Sequence, residues 1–238
     1  MIVILRGHIR DSFATDDLLQ LVLSMGPDLD LYIHTWSVYS NGVSWREIPT
    51  NLEKVTEESI RAYFQDVPIR HIQIDDDTDL PLVGTLEGTI WGGPMPLLGW
   101  KRYWYNQYAA IEYVHQLGTY SDETTVLNLR FDVLNNSNHE HYPLDQIHAF
   151  VDRYRNQTLT KNRFIRDQEW WGIDNMYIGS LFTMRFLIRA FHYHLDDIVK
   201  QNEGAVHSEY LVYRVNEKLF PPPFRLSSIE NIAKFFHK

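Results

Sequence analysis

The chain has 238 residues, 44% of them hydrophobic and 22% charged, with a formal net charge of -9 and no cysteine. Its length allows one large domain or two small ones around a real core. The acidic balance argues against nucleic acid as a partner, since such binding sets Lys and Arg against phosphates, and the lack of cysteine removes disulfides, thiolate nucleophiles and Cys-based metal sites.

Ile2-Val3-Ile4-Leu5 is a short apolar run with no basic flank before it, and Arg6 ends it, unlike a signal peptide. No stretch nears the roughly 18 apolar residues of a membrane span. A soluble, cytoplasmic protein is the expectation.

Taken in chain order, Ile2–Leu5 reads as a buried strand. It opens into the polar loop Arg6-Gly7-His8-Ile9-Arg10, where a glycine lets backbone approach a ligand. Asp16–Met25 has helical spacing and is stopped by Gly26-Pro27. Leu29–Trp36 is a second strand, and Thr56–Phe64 a helix with a Thr cap and acids in its first turn. Ile69–Ile74 is a third strand, running into Asp75-Asp76-Asp77-Thr78-Asp79. As a calcium loop this acidic run fails, because Leu80 and Leu86 stand where glycine and glutamate belong. A solvated run is the simpler reading, with Asp75 alone near enough to the strand to touch a ligand.

Residues 80–99 are rich in Gly and Pro, and a loop of that length is more often functional than idle. Trp100–Leu117 reads as a long helix. Thr125–Leu134 is a β-branched apolar run that ends by delivering Arg130 and Asp132, a charged pair expected to face a cleft. Leu144–Tyr154 and Ser180–Lys200 are helices, the latter with a stripe through Met184, Leu187, Ile188, Phe191, Leu195 and Ile198. Tyr210–Val215 carries a strand signal. Beyond Pro221-Pro222-Pro223, Ser228–His237 is a last helix, with Ser227 and Glu230 at capping-box spacing. Strands alternating with helices over the first 134 residues predict an α/β fold. Its sheet is mostly parallel and twisted, with helices on both faces, and the last third wraps its end.

Several constellations invite chemistry. Asp132 is a hard oxygen ligand for Mg²⁺ or Mn²⁺ beside a diphosphate, and Arg130 can neutralise phosphate; a plain salt bridge at a strand end weighs equally. Arg6, Gly7 and Arg10 follow the first strand, where nucleotides bind in α/β sheets. His139-Glu140-His141 and His192-Tyr193-His194 lack metal-ligand spacing and read as structural or exposed. Trp91, Trp100, Trp104, Trp170 and Trp171 gather in or beside the Gly-rich loops, and each is core material first. No P-loop, GxGxxG or GxSxG motif is present.

Together these residues resemble the small bacterial and viral glycosyltransferases of polysaccharide biosynthesis. The likeness rests on Arg6-Gly7-His8-Ile9-Arg10 after a strand, His34-Thr35-Trp36, Arg130-Phe131-Asp132, Asp174-Asn175-Met176-Tyr177-Ile178-Gly179 and Glu209, across roughly residues 1–215. It implies a single domain of the type-A glycosyltransferase (GT-A) fold. Residues 1–134 form its nucleotide-binding part, 135–220 its acceptor side and 221–238 a C-terminal helix. The implied activity is transfer of a sugar from a nucleotide sugar to a glycan or lipid-linked acceptor, with Mn²⁺ or Mg²⁺. Arg130 stands where that fold's Asp-x-Asp motif has its first acid, which puts the metal in question. Asp75-x-Asp77 is a rival metal site one helix and one strand too early.

The nucleotide is expected over the ends of the first, third and Asp132 strands, held by Arg6, Gly7, Arg10, Asp75, Lys101 and Asn106. Asp132 is expected to hold metal or diphosphate, and Arg130 to act in catalysis. Asp174 is expected to orient the acceptor hydroxyl or take its proton. The C-terminal helix, with Ile229, Phe235 and Lys234, suggests peripheral membrane contact, set against docking on the body of the protein. The competing reading is a non-catalytic glycan-binding or scaffolding module that keeps the fold.

Overall fold

The computed structural model describes residues 1–41, 49–134, 142–165, 174–203 and 209–221. The expectations for His139-Glu140-His141, Trp170-Trp171 and the helix Ser228–His237 lie outside them. The described residues form strands β1 (Ile2–Arg6), β2 (Asp30–Trp36), β3 (Val38–Ser40), β4 (Asn51–Lys54), β5 (Ile69–Asp75), β6 (Thr125–Arg130), β7 (Arg163–Phe164) and β8 (Met176–Ser180). The helices are α1 (Asp17–Ser24), α2 (Glu57–Phe64), α3 (Leu97–Gln116), α4 (Leu144–Tyr154), α5 (Leu181–Gln201) and α6 (Tyr210–Leu219).

Six strands make one sheet in the order β5-β2-β1-β6-β8-β7, while β3 and β4 pair separately. The first four of that order run parallel, and β8 pairs antiparallel with both β6 and β7. All five residues of β1 are buried, as a central strand covered on both faces requires. Its alternate side chains enter two cores. Ile2 and Ile4 pack with Trp104, Ile111, Leu187 and Phe191 of α3 and α5, and α6 adds Leu211 and Val215. Val3 and Leu5 pack with Leu21 and Val22 of α1, Phe64 of α2 and Val151 of α4. The strand period of two therefore sends three helices to each face.

The helix starts follow the sequence. Thr56 and Ser59 form a reciprocal capping box at α2, as do Ser180 and Thr183 at α5. Gly26, at φ +93, takes the left-handed turn that ends α1.

Two expectations about the last third are corrected. Tyr210–Val215 is helical: Leu211, Val212, Val215 and Leu219 recur at helical spacing and fill the α5 side of the core. The segment after Asp174 does not wrap the sheet's end but supplies β8, which lies against β6 inside the sheet.

Beside β8, Asn162 donates to Thr183 O and Asn216 Oδ1, both at 3.0 Å, and accepts from Thr183 Oγ1 at 3.0 Å. This fully buried network ties the β7 approach to α5 and α6, and Gly179 lies flat against it. A Cβ on Gly179 would run into Asn162 Oδ1 and stand 2.8 Å from Thr183 Oγ1. Gly179→Ala is expected to destabilise by about 1–3 kcal/mol, as overpacking does, read as a lower urea midpoint at unchanged slope. An unchanged midpoint would mean that the network yields freely.

Candidate functional site

The strand order places the site. From β1 the chain builds outward through β2 to β5, then returns to lay β6 on the other side of β1. The β1–β6 boundary is therefore the point where the winding reverses, and ligands of open α/β sheets bind beyond the strand ends there. Arg6 and Arg130 are register partners at the last pair of that ladder. A cleft of about 130 Å³ opens beside them.

Gly7, at φ +94, turns the chain out of β1, and its N–H donates to the His34 carbonyl at 3.1 Å. Thr35 Oγ1 donates to the Gly7 carbonyl at 2.9 Å, so β2 pins the loop on both sides. Arg10 adopts φ +55, a left-handed conformation uncommon for a residue with a side chain, and its N–H donates to Tyr39 O at 3.0 Å. Its guanidinium reaches Asp132.

Asp132 is 3% exposed. Arg130 forks it, Nε to Oδ1 at 2.8 Å and Nη2 to Oδ2 at 2.6 Å, while Arg130 Nη1 donates to Asn175 Oδ1 at 2.9 Å. Burial works against the Arg130 charge, but Asp132, with Tyr103 and Asp174, more than compensates and raises its pKa. Arg6 is fully buried: Nε donates to Asn128 Oδ1 at 2.7 Å, Nη2 to the Asp174 carbonyl at 2.6 Å, and the Tyr103 ring lies 4.5 Å from its guanidinium carbon. Burial raises the Asp174 carboxyl above its usual range, against the pull of Arg6 and Arg130. On the facing side Arg102 pairs with Asp77 at 3.1 Å.

Some buried polar atoms of these cleft residues have no partner among the described residues: the donors Arg6 Nη1 and Arg102 Nε, and the acceptors Asp174 Oδ1 and Asn106 Oδ1. Such atoms are rare in folded proteins and mark places where something else supplies the bond.

Of the residues expected from sequence, Arg6, Gly7, Arg10, Asn106, Arg130, Asp132 and Asp174 all line this cleft. Glu209, at the start of α6, lines it too. Lys101 and Asp75 do not. Lys101 is a helix position away from the site, and its Nζ pairs with Asp196 at 2.7 Å and donates to Val83 O. Residues 101 and 106 are five apart on α3 and cannot share a face, whereas Arg102 and Asn106 can. Asp75 ends β5, which β2 separates from β1. It accepts from Gln73 at 2.9 Å, His34 at 3.0 Å and Tyr105 at 3.1 Å, and the His34 bond foremost holds its carboxyl below the usual range. Asp75 therefore stands apart from the cleft at the ends of β1 and β6.

The sequence reading missed Arg102 and Tyr103, both cleft residues, and it named His8 and Trp36 only inside family motifs and Asp77 only within the rival Asp75-x-Asp77 site, though all three line the cleft. Asp77 was expected in solvent; it is buried, with Asn41 and Arg102 as partners. Of the aromatic group, Trp100 and Trp104 are core and Trp91 donates to Val199 O at 2.9 Å. His192 is buried and stacks on Tyr108 with ring centres 3.9 Å apart, a packing role.

A divalent cation does not fit the donor set. Mg²⁺ and Mn²⁺ ask for carboxylate oxygens open to the ion, and both oxygens of Asp132 are engaged by guanidinium groups. The described residues contain no group of three or more His, Asp or Glu placed to hold an ion. They also include no helix long and apolar enough to cross a membrane.

The fold and cleft together define a mostly parallel α/β protein with a polar site at its winding reversal. No protein-family model matches the chain, and no curated protein matches it. Among solved structures it is similar to the glycosyltransferase GlyE of Streptococcus pneumoniae TIGR4, with a TM-score of 0.41, 11% identity and coverage of 100% of this chain and 50% of that one. The chain thus spans half the length of that protein. It is similar also to 4-diphosphocytidyl-2C-methyl-D-erythritol synthase, at TM-score 0.37, 7% identity and 90% and 84% coverage. An active-site mutant of LgtC gives 0.36, 12%, and 92% and 69%. Likeness at this level decides neither a family nor an activity.

His8 yields a pH signature for the site. Burial lowers its pKa to about 4, partly offset by the Nδ1 bond of 3.2 Å to Val38 O. A carbonyl only accepts, so Nδ1 carries the proton and Nε2 keeps its lone pair. The unfolded chain, with its histidine near 6.5, binds more protons than the folded one between about 4 and 6.5. Stability is therefore full above 6.5 and falls with pH through that window. His8→Gln should lose less stability than wild type between pH 7 and pH 4.5, by roughly 2–3 kcal/mol, in urea unfolding at each pH. Parallel pH curves would refute a neutral buried imidazole.

Proposed function

We propose that this chain is a glycosyltransferase that moves a sugar from a nucleotide-diphosphate sugar to a glycan or glycolipid acceptor in the synthesis of surface polysaccharide or another glycan. The observation that carries the reading is the mixed set of unpartnered atoms in the cleft. Arg6 Nη1 and Arg102 Nε need acceptors, while Asp174 Oδ1 and Asn106 Oδ1 need donors. A ligand with phosphate oxygens and sugar hydroxyls meets both demands; a plain anion or an apolar molecule does not.

In this reading Arg6, Gly7 and Arg10 cradle the nucleotide at the end of β1, and Asn106 meets it from α3. Arg130 faces the diphosphate and stabilises the charge that grows as the bond between the sugar's anomeric carbon and the β-phosphate oxygen breaks. That bond's electron pair leaves with the nucleoside diphosphate. The acceptor oxygen forms the new bond to the anomeric carbon, and its proton passes to Asp174. A carboxyl whose pKa burial has raised binds that proton more readily than an ordinary aspartate. Asp132 fixes the Arg10 and Arg130 guanidiniums in place.

The test separates the two acids. Asp174→Asn should bind nucleotide like wild type and transfer sugar on the order of a hundredfold more slowly. It should also be more stable at pH 7. Just above the ordinary carboxylate value of 3.8 the folded state keeps a proton that the unfolded state has released, so the wild type loses stability as pH rises through that window to its raised pKa, and the variant has no such loss to carry at pH 7. Asp132→Asn should lose transfer by a comparable factor through misplaced arginines. Near wild-type transfer in both variants, across a panel of nucleotide sugars, would sink this assignment. Nucleotide binding with no transfer to any acceptor would favour the non-catalytic glycan-binding reading.

A further inference from the structure

We infer that the cleft neutralises the donor's diphosphate with its arginines, Arg10, Arg102 and Arg130 foremost, and binds the nucleotide without a divalent cation. The inference rests on the nucleotide-sugar reading and specifies how the same site handles charge.

Asp132 is the carboxylate on which the charge of the cleft turns. In a metal-using site such a carboxylate stays open to the ion, and the ion bridges it to the phosphates. Here the two guanidiniums of Arg10 and Arg130 converge on the one carboxylate. That triad carries one surplus positive charge, placed where a cation would otherwise sit. Arg130 is desolvated and still firmly cationic, so its charge persists at any working pH. Across the cleft Arg102 brings a further guanidinium, with a buried Nε that lacks a partner, and Arg6 brings a buried Nη1 in the same condition. Guanidinium forks match phosphate oxygens two at a time and cost little hydration to bury, which suits them to this role better than lysine.

The carboxylates have a matching task. Asp132 and Asp77 hold Arg10, Arg130 and Arg102 at fixed places before any ligand arrives. Preorganised cations lose little on binding, whereas free side chains must first be ordered. The cleft therefore needs no second component to assemble its charge.

Calorimetric titration of the full chain with UDP, GDP, CDP, ADP, dTDP and inorganic pyrophosphate is run in EDTA, then repeated with Mn²⁺ and with Mg²⁺. At least one nucleoside diphosphate should bind in EDTA with a Kd within threefold of its value with metal. Arg130→Gln should weaken that binding tenfold or more. Arg102→Gln, on the side of α3 that borders the cleft, should weaken it likewise and serves if the first variant does not fold. Binding that appears only with Mn²⁺ or Mg²⁺ overturns this inference and leaves the nucleotide-sugar reading standing. No nucleotide binding under any condition overturns that reading, and the inference with it. Metal-independent binding that both arginine variants leave intact also overturns the inference.

Discussion

A single fully buried guanidinium, that of Arg6, joins the parts on which the rest of the structure depends. It leaves the end of β1, binds Asn128 on β6, caps the Asp174 carbonyl ahead of β8 and packs on Tyr103 of α3. An unpaired charge at that depth would cost several kcal/mol, so each partner must be in place for the strand end to stay buried. Tyr103 in turn donates to the same Asp174 carbonyl at 2.7 Å. The order of the sheet, the seat of α3 and the position of the acid that the proposed mechanism uses are thus consequences of satisfying one cation.

That constraint also explains why the charges sit where they do. β1 is buried throughout and β6 from Val126 to Leu129, and Arg6 and Arg130 are the final pair of that ladder. Deeper along these strands few polar partners would be available to them; at the sheet's end, loops and α3 bring several. Asn128, the one polar residue among the buried side chains of β6, is spent on Arg6. β1, apolar for four residues and charged at the fifth, has its position along the sheet fixed, because a slip by one would separate the Arg6 guanidinium from its partners.

Much of this was legible in the sequence wherever periodicity and charge agreed. The runs Ile2–Leu5 and Thr125–Leu129 read as buried strands because they are continuous and β-branched, and α5 because its apolar stripe is long. The residues that close those strands were accessible for the same reason, whereas Asp174 was named through the family motif and Asn106 as a polar residue of the long helix. What escaped detection depends on geometry between segments. Met176–Ser180 is too short, and too interrupted by Gly179, to announce a strand; pairing with β6 makes it one. Tyr210–Leu219 begins with β-formers, and only the later Leu219 reveals its helical period. Lys101 and Arg102 are adjacent cations, and choosing between them required knowing which face of α3 meets the strand ends. Asp77 stood inside an acidic run whose neighbour Asp76 is indeed exposed, and no property of the run marks one member for burial.

The balance of charge in the cleft bears on how such a site works. Arg6, Arg10, Arg102 and Arg130 face Asp77, Asp132, Asp174 and Glu209, so the lining is formally close to neutral. A neutral lining is compatible with a folded resting state, which a bare cluster of four cations in a low-dielectric recess is not. Neutrality overall does not prevent local attraction, because Asp132 is shared by two guanidiniums and burial disfavours the ionised form of Asp174. Asp132 and Asp77 steady arginines without satisfying all of their donors. Arg6 Nη1 and Arg102 Nε, which find no partner among the described residues, are the remainder, and an acceptor brought to each is worth about 1–3 kcal/mol. Asp132 and Asp77 hold Arg10, Arg130 and Arg102 in place beforehand, and a ligand that brings phosphate oxygens to the remaining donors gains those bonds as binding energy.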